Sequence, residues 1–203
     1  MVLPIQEQHL ILKTTTIVAA REQYIADITN WVTESANPPS SMRGPAGVGK
    51  SAITRTCTEK LKETGQLGAA FFFTATKHTN PSCLFTTIAY QLATTIPDYR
   101  TIIDERISKD KTFIEKKIAF QFRSLIVEPI QELGKQGKRV QPKAVFIDGL
   151  DECAGKDAQA EIIEIIASSV REKCTPSHWA IFSRAEPRIM STFKQGNIAS
   201  FTH

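Results

Sequence analysis

Residues Gly44-Pro45-Ala46-Gly47-Val48-Gly49-Lys50-Ser51 fit the pattern G-x-x-x-x-G-K-[ST] at every fixed position. That spacing suits phosphate binding. Glycines let successive backbone N–H groups converge on one anionic centre. A helix beginning near Lys50 adds the positive end of its dipole at the same place. Lys50 is then placed to reach the outer phosphates of a nucleotide, and the Ser51 hydroxyl to ligate Mg2+. The residues assigned to the nucleotide are Gly44, Pro45, Ala46, Gly47, Val48, Gly49, Lys50, Ser51 and Ala52.

A second constellation stands at Lys143-Ala144-Val145-Phe146-Ile147-Asp148-Gly149-Leu150-Asp151-Glu152-Cys153. The apolar run Ala144 to Ile147 has the character of a strand buried on both faces, as in a parallel sheet. Asp148 falls at its carboxyl end, where open α/β sheets place their ligands. A carboxylate there can hold Mg2+ through water and help complete its octahedral shell. Asp151 and Glu152 follow within one short turn, so a second carboxylate can reach the side from which water would attack a γ-phosphate. The two motifs together imply a nucleotide-binding chain.

The elements that must position these residues can be read from periodicity. A helix over about 19–34 carries Tyr24, Ile28, Trp31 and Val32 on one face. Lys50 to Glu63 reads as the helix behind the phosphate loop, stopped by Gly65. Leu67 to Thr74 reads as a buried strand, with the Phe71-Phe72-Phe73 triplet assigned to the core rather than to base stacking. Helices follow at 81–96, opened by Pro81-Ser82, and at about 98–108. Residues 112–133 keep Ile114, Ile118, Phe122, Leu125, Ile126, Ile130 and Leu133 in helical register, with Pro129 expected to bend or divide the segment. A helix over 157–173 and a strand Trp179 to Phe182, ending in Ser183-Arg184, come after the acidic turn. A helix over 186–195 and a last strand over 198–202 close the chain. Strands alternating with helices imply a parallel sheet joined by right-handed crossovers.

The bulk composition agrees with one α/β domain: 203 residues, 41 % hydrophobic and 23 % charged, net charge +4. The lysine clusters at 109–117 and 135–143 lack interleaved aromatics, so they read as solvated faces and not as a nucleic-acid surface. Cys57, Cys83, Cys153 and Cys174 have neither C-x-x-C spacing nor paired histidines, which argues for reduced thiols. Without a signal-peptide layout or a membrane-length apolar run, the expected location is the cytoplasm, with no membrane partner.

Several phosphate-loop families are set aside by what is missing. There is no N-K-x-D guanine reader, no L-S-G-G-Q and no arginine-rich lid. Five landmarks then occur in order: Gly44 to Ser51, Phe71-Phe72-Phe73, Leu84-Phe85-Thr86-Thr87-Ile88-Ala89-Tyr90-Gln91-Leu92, Asp148-Gly149-Leu150-Asp151-Glu152-Cys153, and Ser183-Arg184. Their set resembles a NACHT domain of the fungal kind, found in NLR-like signalling proteins of the STAND class of P-loop NTPases, and the resemblance covers residues 20–203. It implies an α/β P-loop NTPase fold with a five-stranded parallel sheet in the order 5-1-4-3-2, flanked by helices. It also implies ATP or GTP with Mg2+, slow hydrolysis that times a switch, and self-association on activation. By the same resemblance Ser51 and Asp148 serve Mg2+, Asp151 or Glu152 positions water, and Arg184 senses the γ-phosphate.

The chain departs from that pattern in three ways. Residues Asn37-Pro38-Pro39-Ser40-Ser41-Met42-Arg43 stand where an apolar strand should feed the phosphate loop. Prolines cannot donate to a sheet ladder, so the first strand reads as shortened and the site as less preorganised. Thr14 to Val18 is a candidate substitute for it. Ala185 stands where the family has proline after the arginine. Residues 1–18 read as a lead segment and 19–203 as a truncated core, without winged-helix or repeat modules. Two alternatives therefore stand beside a working NTPase: a nucleotide-holding or oligomerisation module without turnover, and an inactive remnant.

Overall fold

The computed structural model describes residues 21–33, 49–184 and 186–195. A helix over residues 21–33 (α1) is followed by α2 (Lys50–Glu63) and the first described strand, β1 (Leu67–Phe72). A helical stretch then holds α3 (Leu84–Thr95), α4 (Pro97–Lys109), α5 (Ile118–Phe122) and α6 (Glu128–Lys135). It is followed by β2 (Ala144–Asp148), α7 (Lys156–Arg171), β3 (His178–Phe182) and α8 (Pro187–Gln195). The three strands form one parallel sheet in the order β1-β2-β3, with Phe72 opposite Asp148 and Asp148 opposite Phe182. The strands expected before Gly44 and over 198–202, and the lead segment 1–18, lie outside the described residues.

Side-chain alternation along the strands builds two cores. Phe71, Val145, Ile147, Trp179 and Ile181 pack with α3 to α8 on one face. Ala144, Phe146, Ala180 and Phe182 pack with Ile25, Ile28, Trp31 and Val32 of α1 and Ile53, Cys57 and Leu61 of α2 on the other. All five residues of β2 are buried, which is why its sequence is apolar without alternation. Phe71 and Phe73 meet edge to face at 4.8 Å within the first core, as the triplet's assignment to packing expects. The outer edge of β1 is closed by the Gln91 side chain. Its Oε1 accepts from the Ala70 N–H at 2.8 Å, and its Nε2 donates to the Ala70 carbonyl at 2.9 Å.

Two segments differ from the periodic reading. The strand expected to reach Thr74 ends at Phe72, and Thr74 instead pairs with His78 in an antiparallel bridge that closes a tight turn. The segment 112–133 is not one helix. A 3-10 turn over Phe113–Glu115 precedes α5, and a π-helical turn over Arg123–Val127 joins α5 to α6. Pro129 is the physical reason for the wider turn. It lacks an N–H, so the carbonyls that would receive one, Leu125 in an α turn and Ser124 in a π turn, need other donors. Tyr99 Oη supplies the Leu125 carbonyl, and Arg106 Nη1 supplies Ser124 at 2.9 Å. Helix α4 thus mends the defect that proline makes in the neighbouring helix.

Candidate functional site

The described end of the first motif, Gly49 to Ala52, stands near the carboxyl edge of β2, where the second motif begins. Gly49 takes a left-handed conformation, φ 84°, and its carbonyl accepts the first helical hydrogen bond, from Ile53, at 2.9 Å. Helix α2 begins at Lys50 with no acidic residue in its first turn and a glycine, which has no side chain to cap with, at its N-cap, an arrangement in which the first amides can face an anion. Residues Gly44 to Val48 lie outside the described residues. Ser51 is exposed on the first turn, close enough to Asp148 for its hydroxyl to favour the ionised carboxylate. Ala52 is half-buried behind it.

Asp148 is the last residue of β2 and is only 5 % exposed. Burial pushes its carboxyl above the usual aspartate range. The Ser51 hydroxyl and the Gly149 N–H oppose the shift, and the nearby charges of Asp151 and Glu152 reinforce it. A buried acid raised by desolvation and by its neighbours, at the end of a strand, is a candidate for holding a cation. Ser51 and Asp148 offer hard oxygens, the donor type that Mg2+ takes when nucleotide phosphates and water complete its shell. Among the described residues no three His, Cys, Asp or Glu side chains converge to hold a metal by themselves.

The turn after β2 is fixed by its backbone. Gly149 sits at φ 71°, and a Cβ there would lie 2.8 Å from the Phe73 carbonyl oxygen. The small residue after Asp148 is thus imposed by the close passage of the β1 exit. Leu150 is fully buried and anchors a 3-10 turn, Leu150–Glu152, that turns the two acids in different directions. Glu152 Oε2 accepts from the Ala75 N–H at 2.7 Å, tying the turn to the segment after β1. Asp151 reaches the opposite way, to the end of β3. Its Oδ1 accepts from the Arg184 N–H at 2.8 Å and the Ser183 hydroxyl at 3.2 Å, and its Oδ2 meets Arg184 Nε at 3.3 Å.

The structure therefore brings Ser51, Asp148, Gly149, Asp151, Glu152 and Arg184 to one edge of the sheet. Two further residues serve it that sequence reasoning did not single out for this edge. Ser183 is noted there only as a strand end, yet it is buried and donates to Asp151. Gln159, buried on α7, donates through Nε2 to the carbonyls of Cys153 at 2.9 Å and Asp151 at 3.3 Å. A glutamine in an amphipathic helix carries no signal of such a role. Two of the cysteines are poor nucleophiles: burial raises the Cys57 thiol to about 12 and Cys153 to about 11.

The model of one family, described as nephrocystin 3, N-terminal, matches residues 24–184, from α1 to the arginine after β3, and the chain belongs to that family. No curated protein and no solved structure matches the chain. No described helix is long and apolar enough to cross a membrane.

Proposed function

We propose that this member of the nephrocystin 3 N-terminal family is a Mg2+-dependent nucleoside-triphosphate-binding switch core of the NACHT type. The observation that carries the reading is the placing of Ser51, on the first turn of the phosphate-loop helix, beside the buried Asp148 at the acidic strand end. The order β1-β2-β3 supports it, because it reproduces the 4-3-2 stretch of the order 5-1-4-3-2. On this reading the first strand precedes Gly44 and the fifth follows α8.

In the proposed mechanism the Gly44–Gly49 amides and the N-terminus of α2 cradle the phosphates of ATP or GTP, with Lys50 on the outer ones. Ser51 and Asp148 hold Mg2+, which neutralises phosphate charge when bound. Asp151, Glu152 and Arg184 border the γ-phosphate position, and turnover is slow. A second reading, nucleotide binding without turnover, is favoured by one observation: Asp151 and Glu152 are already engaged by β3 and by Ala75. The two readings part at Asp151→Ala with Glu152→Ala, which spares binding in both and removes turnover only from an enzyme.

Four unpaired cysteines fit a cytoplasmic protein. Self-association on activation and a place among fungal NLR-like proteins rest on the sequence resemblance alone. The test of the main reading is a thermal melt with Mg2+-ATP and with Mg2+-GTP. A nucleotide at a hundred times its Kd should add about 2.7 kcal/mol of stability. The shift should vanish in Lys50→Ala. A folded chain that shifts with neither nucleotide contradicts the proposal.

A further inference from the structure

We infer that the groove between α3 and α4 is a docking site for an acidic amphipathic helix of another protein. Its lining shares no residue with the sheet-edge site, so the inference stands apart from the nucleotide reading.

Small side chains open the groove. Ala89 and Ala93, one turn apart on α3, stand where α3 packs against α4, and α4 presents Ile103 and Ile107 to the same space. Alanine leaves room that a larger residue would fill, and a cavity of about 330 Å3 remains, with Ile103 and Leu125 buried at its base. That volume lies at the lower end of the small-molecule range. Its walls continue outward: Tyr90 is 70 % exposed and Ile107 43 %. Phe113, also in the lining, stacks at 6.1 Å on Phe120, which is itself exposed. Large apolar side chains that run on from a cavity across the surface mark a protein-docking face. Tyr90 belongs to the run Leu84 to Leu92, whose other large apolar residues are buried and whose Gln91 closes the β1 edge. The Tyr90 hydroxyl has no hydrogen-bond partner among the described residues.

The shape and charge of the groove select the occupant. Both walls are helices, of 12 and 13 residues, so a third helix can lay its ridge of side chains into the slot between them. Three to four turns of partner, about 18 Å, match the length of α3. Two apolar anchors at i and i+4 would then fill the space over Ala89 and Ala93. Of the charged residues that line the groove, Arg100 and Asp104 pair at 3.5 Å, and Lys111 has no carboxylate partner among the described residues. Nearby charges are matched already: Lys109 pairs with Glu105, Lys116 pairs with Asp110, and exposed Glu115 balances exposed Lys117. A partner with Asp or Glu beside its anchors meets the free Lys111 cation, whereas one with Lys or Arg is repelled.

The experiment selects a displayed library of amphipathic helices, of about four turns and with the contact face fully randomised, against the full chain. Enriched sequences are then made as labelled peptides and titrated by fluorescence anisotropy. They should carry large apolar residues at i and i+4 with Asp or Glu beside them. Tyr90→Ala should weaken their binding about tenfold, the effect of losing one aromatic anchor. Lys111→Glu should weaken it about fivefold, and changing the peptide acid to lysine should restore binding to that variant. Both substitutions fall on exposed side chains, and an unchanged melting temperature verifies that the fold is kept. Ala93→Leu, which narrows the cavity, should also lose binding. The proposal is overturned by a library that enriches no helix, by enriched helices without an acidic bias, or by binding that survives Tyr90→Ala. Self-association of the chain alone that disappears in Tyr90→Ala would overturn it too, and would assign the groove to a second copy.

Discussion

Two polar clusters in this chain are built from similar parts and reach opposite electrostatic outcomes. Around the π-helical turn, Arg106 meets Glu128 at 2.7 Å and Glu132 at 3.2 Å, and Arg123 meets Glu128 at 3.1 Å. Burial alone would lower the Arg106 pKa, but hydrogen bonds to the two glutamates outweigh it and raise it. Those bonds hold Glu128 below the usual glutamate range. At the carboxyl edge of the sheet, Asp148, Asp151 and Glu152 lie within one turn of chain, and Arg184 is held by Asp151 and not by Asp148. Asp148 is pushed up, by burial first and by Asp151 and Glu152 after it, where Glu128 is pulled down. A cluster whose charges match is explained by the fold it supports. The sheet edge is the cluster that the proposed Mg2+ would complete.

The comparison can be broken at several points, beginning with the backbone. Gly149→Ala places a Cβ against the Phe73 carbonyl in a left-handed conformation. It should cost about 2–4 kcal/mol in denaturant unfolding, together with nucleotide affinity. A variant as stable as wild type would mean that the turn after β2 is not held as described.

Removing Arg106 tests the matched cluster. Arg106→Ala leaves the Ser124 carbonyl without its side-chain donor and Glu128 and Glu132 without their shared cation. About 2 kcal/mol should be lost, reduced from a fully buried pair because the glutamates are partly exposed to solvent. Nucleotide affinity should not change. Tyr99→Phe removes the other donor to the π turn, at a fully buried site, and should cost about 1–2 kcal/mol.

The smallest effect is on the acid limb of stability. Glu128 has a folded pKa below its unfolded one, so its contribution is complete above the unfolded value. It is lost as pH falls through the folded value. Melting temperature followed from pH 7 downward should therefore decline less in Arg106→Ala than in wild type. Parallel declines would show that the Arg106 contacts are not what lowers Glu128.

Much of this was legible in the sequence because it depends on local rules. The helix Lys50–Glu63 stops where Thr64 and Gly65 turn back onto Lys60 and Lys62, as the glycine foretells. The strand Ala144–Asp148 is apolar because both its faces are covered. Asp148 and Arg184 were placed at strand ends by the same patterns. What escaped depends on partners distant in the chain. Helical periodicity over 112–133 cannot show that Pro129 leaves carbonyls which Tyr99 and Arg106 of another helix must satisfy. The sequence could group Asp151 with Glu152 as two acids near one water. It could not show that one turns to β3 and the other to Ala75. Val170 fits the apolar stripe of α7 and is nonetheless 49 % exposed near the helix end.

The most direct test of the central claim, that Asp148 is kept buried to meet a cation, compares melting of wild type and Asp148→Asn under two conditions. Asparagine keeps an acceptor beside Ser51 while removing the buried charge. Without ligand the variant should melt higher, by the equivalent of about 0.5–1 kcal/mol. With saturating Mg2+-nucleotide the order should reverse, because only wild type gains the linked stabilisation. The same order in both conditions would contradict the account.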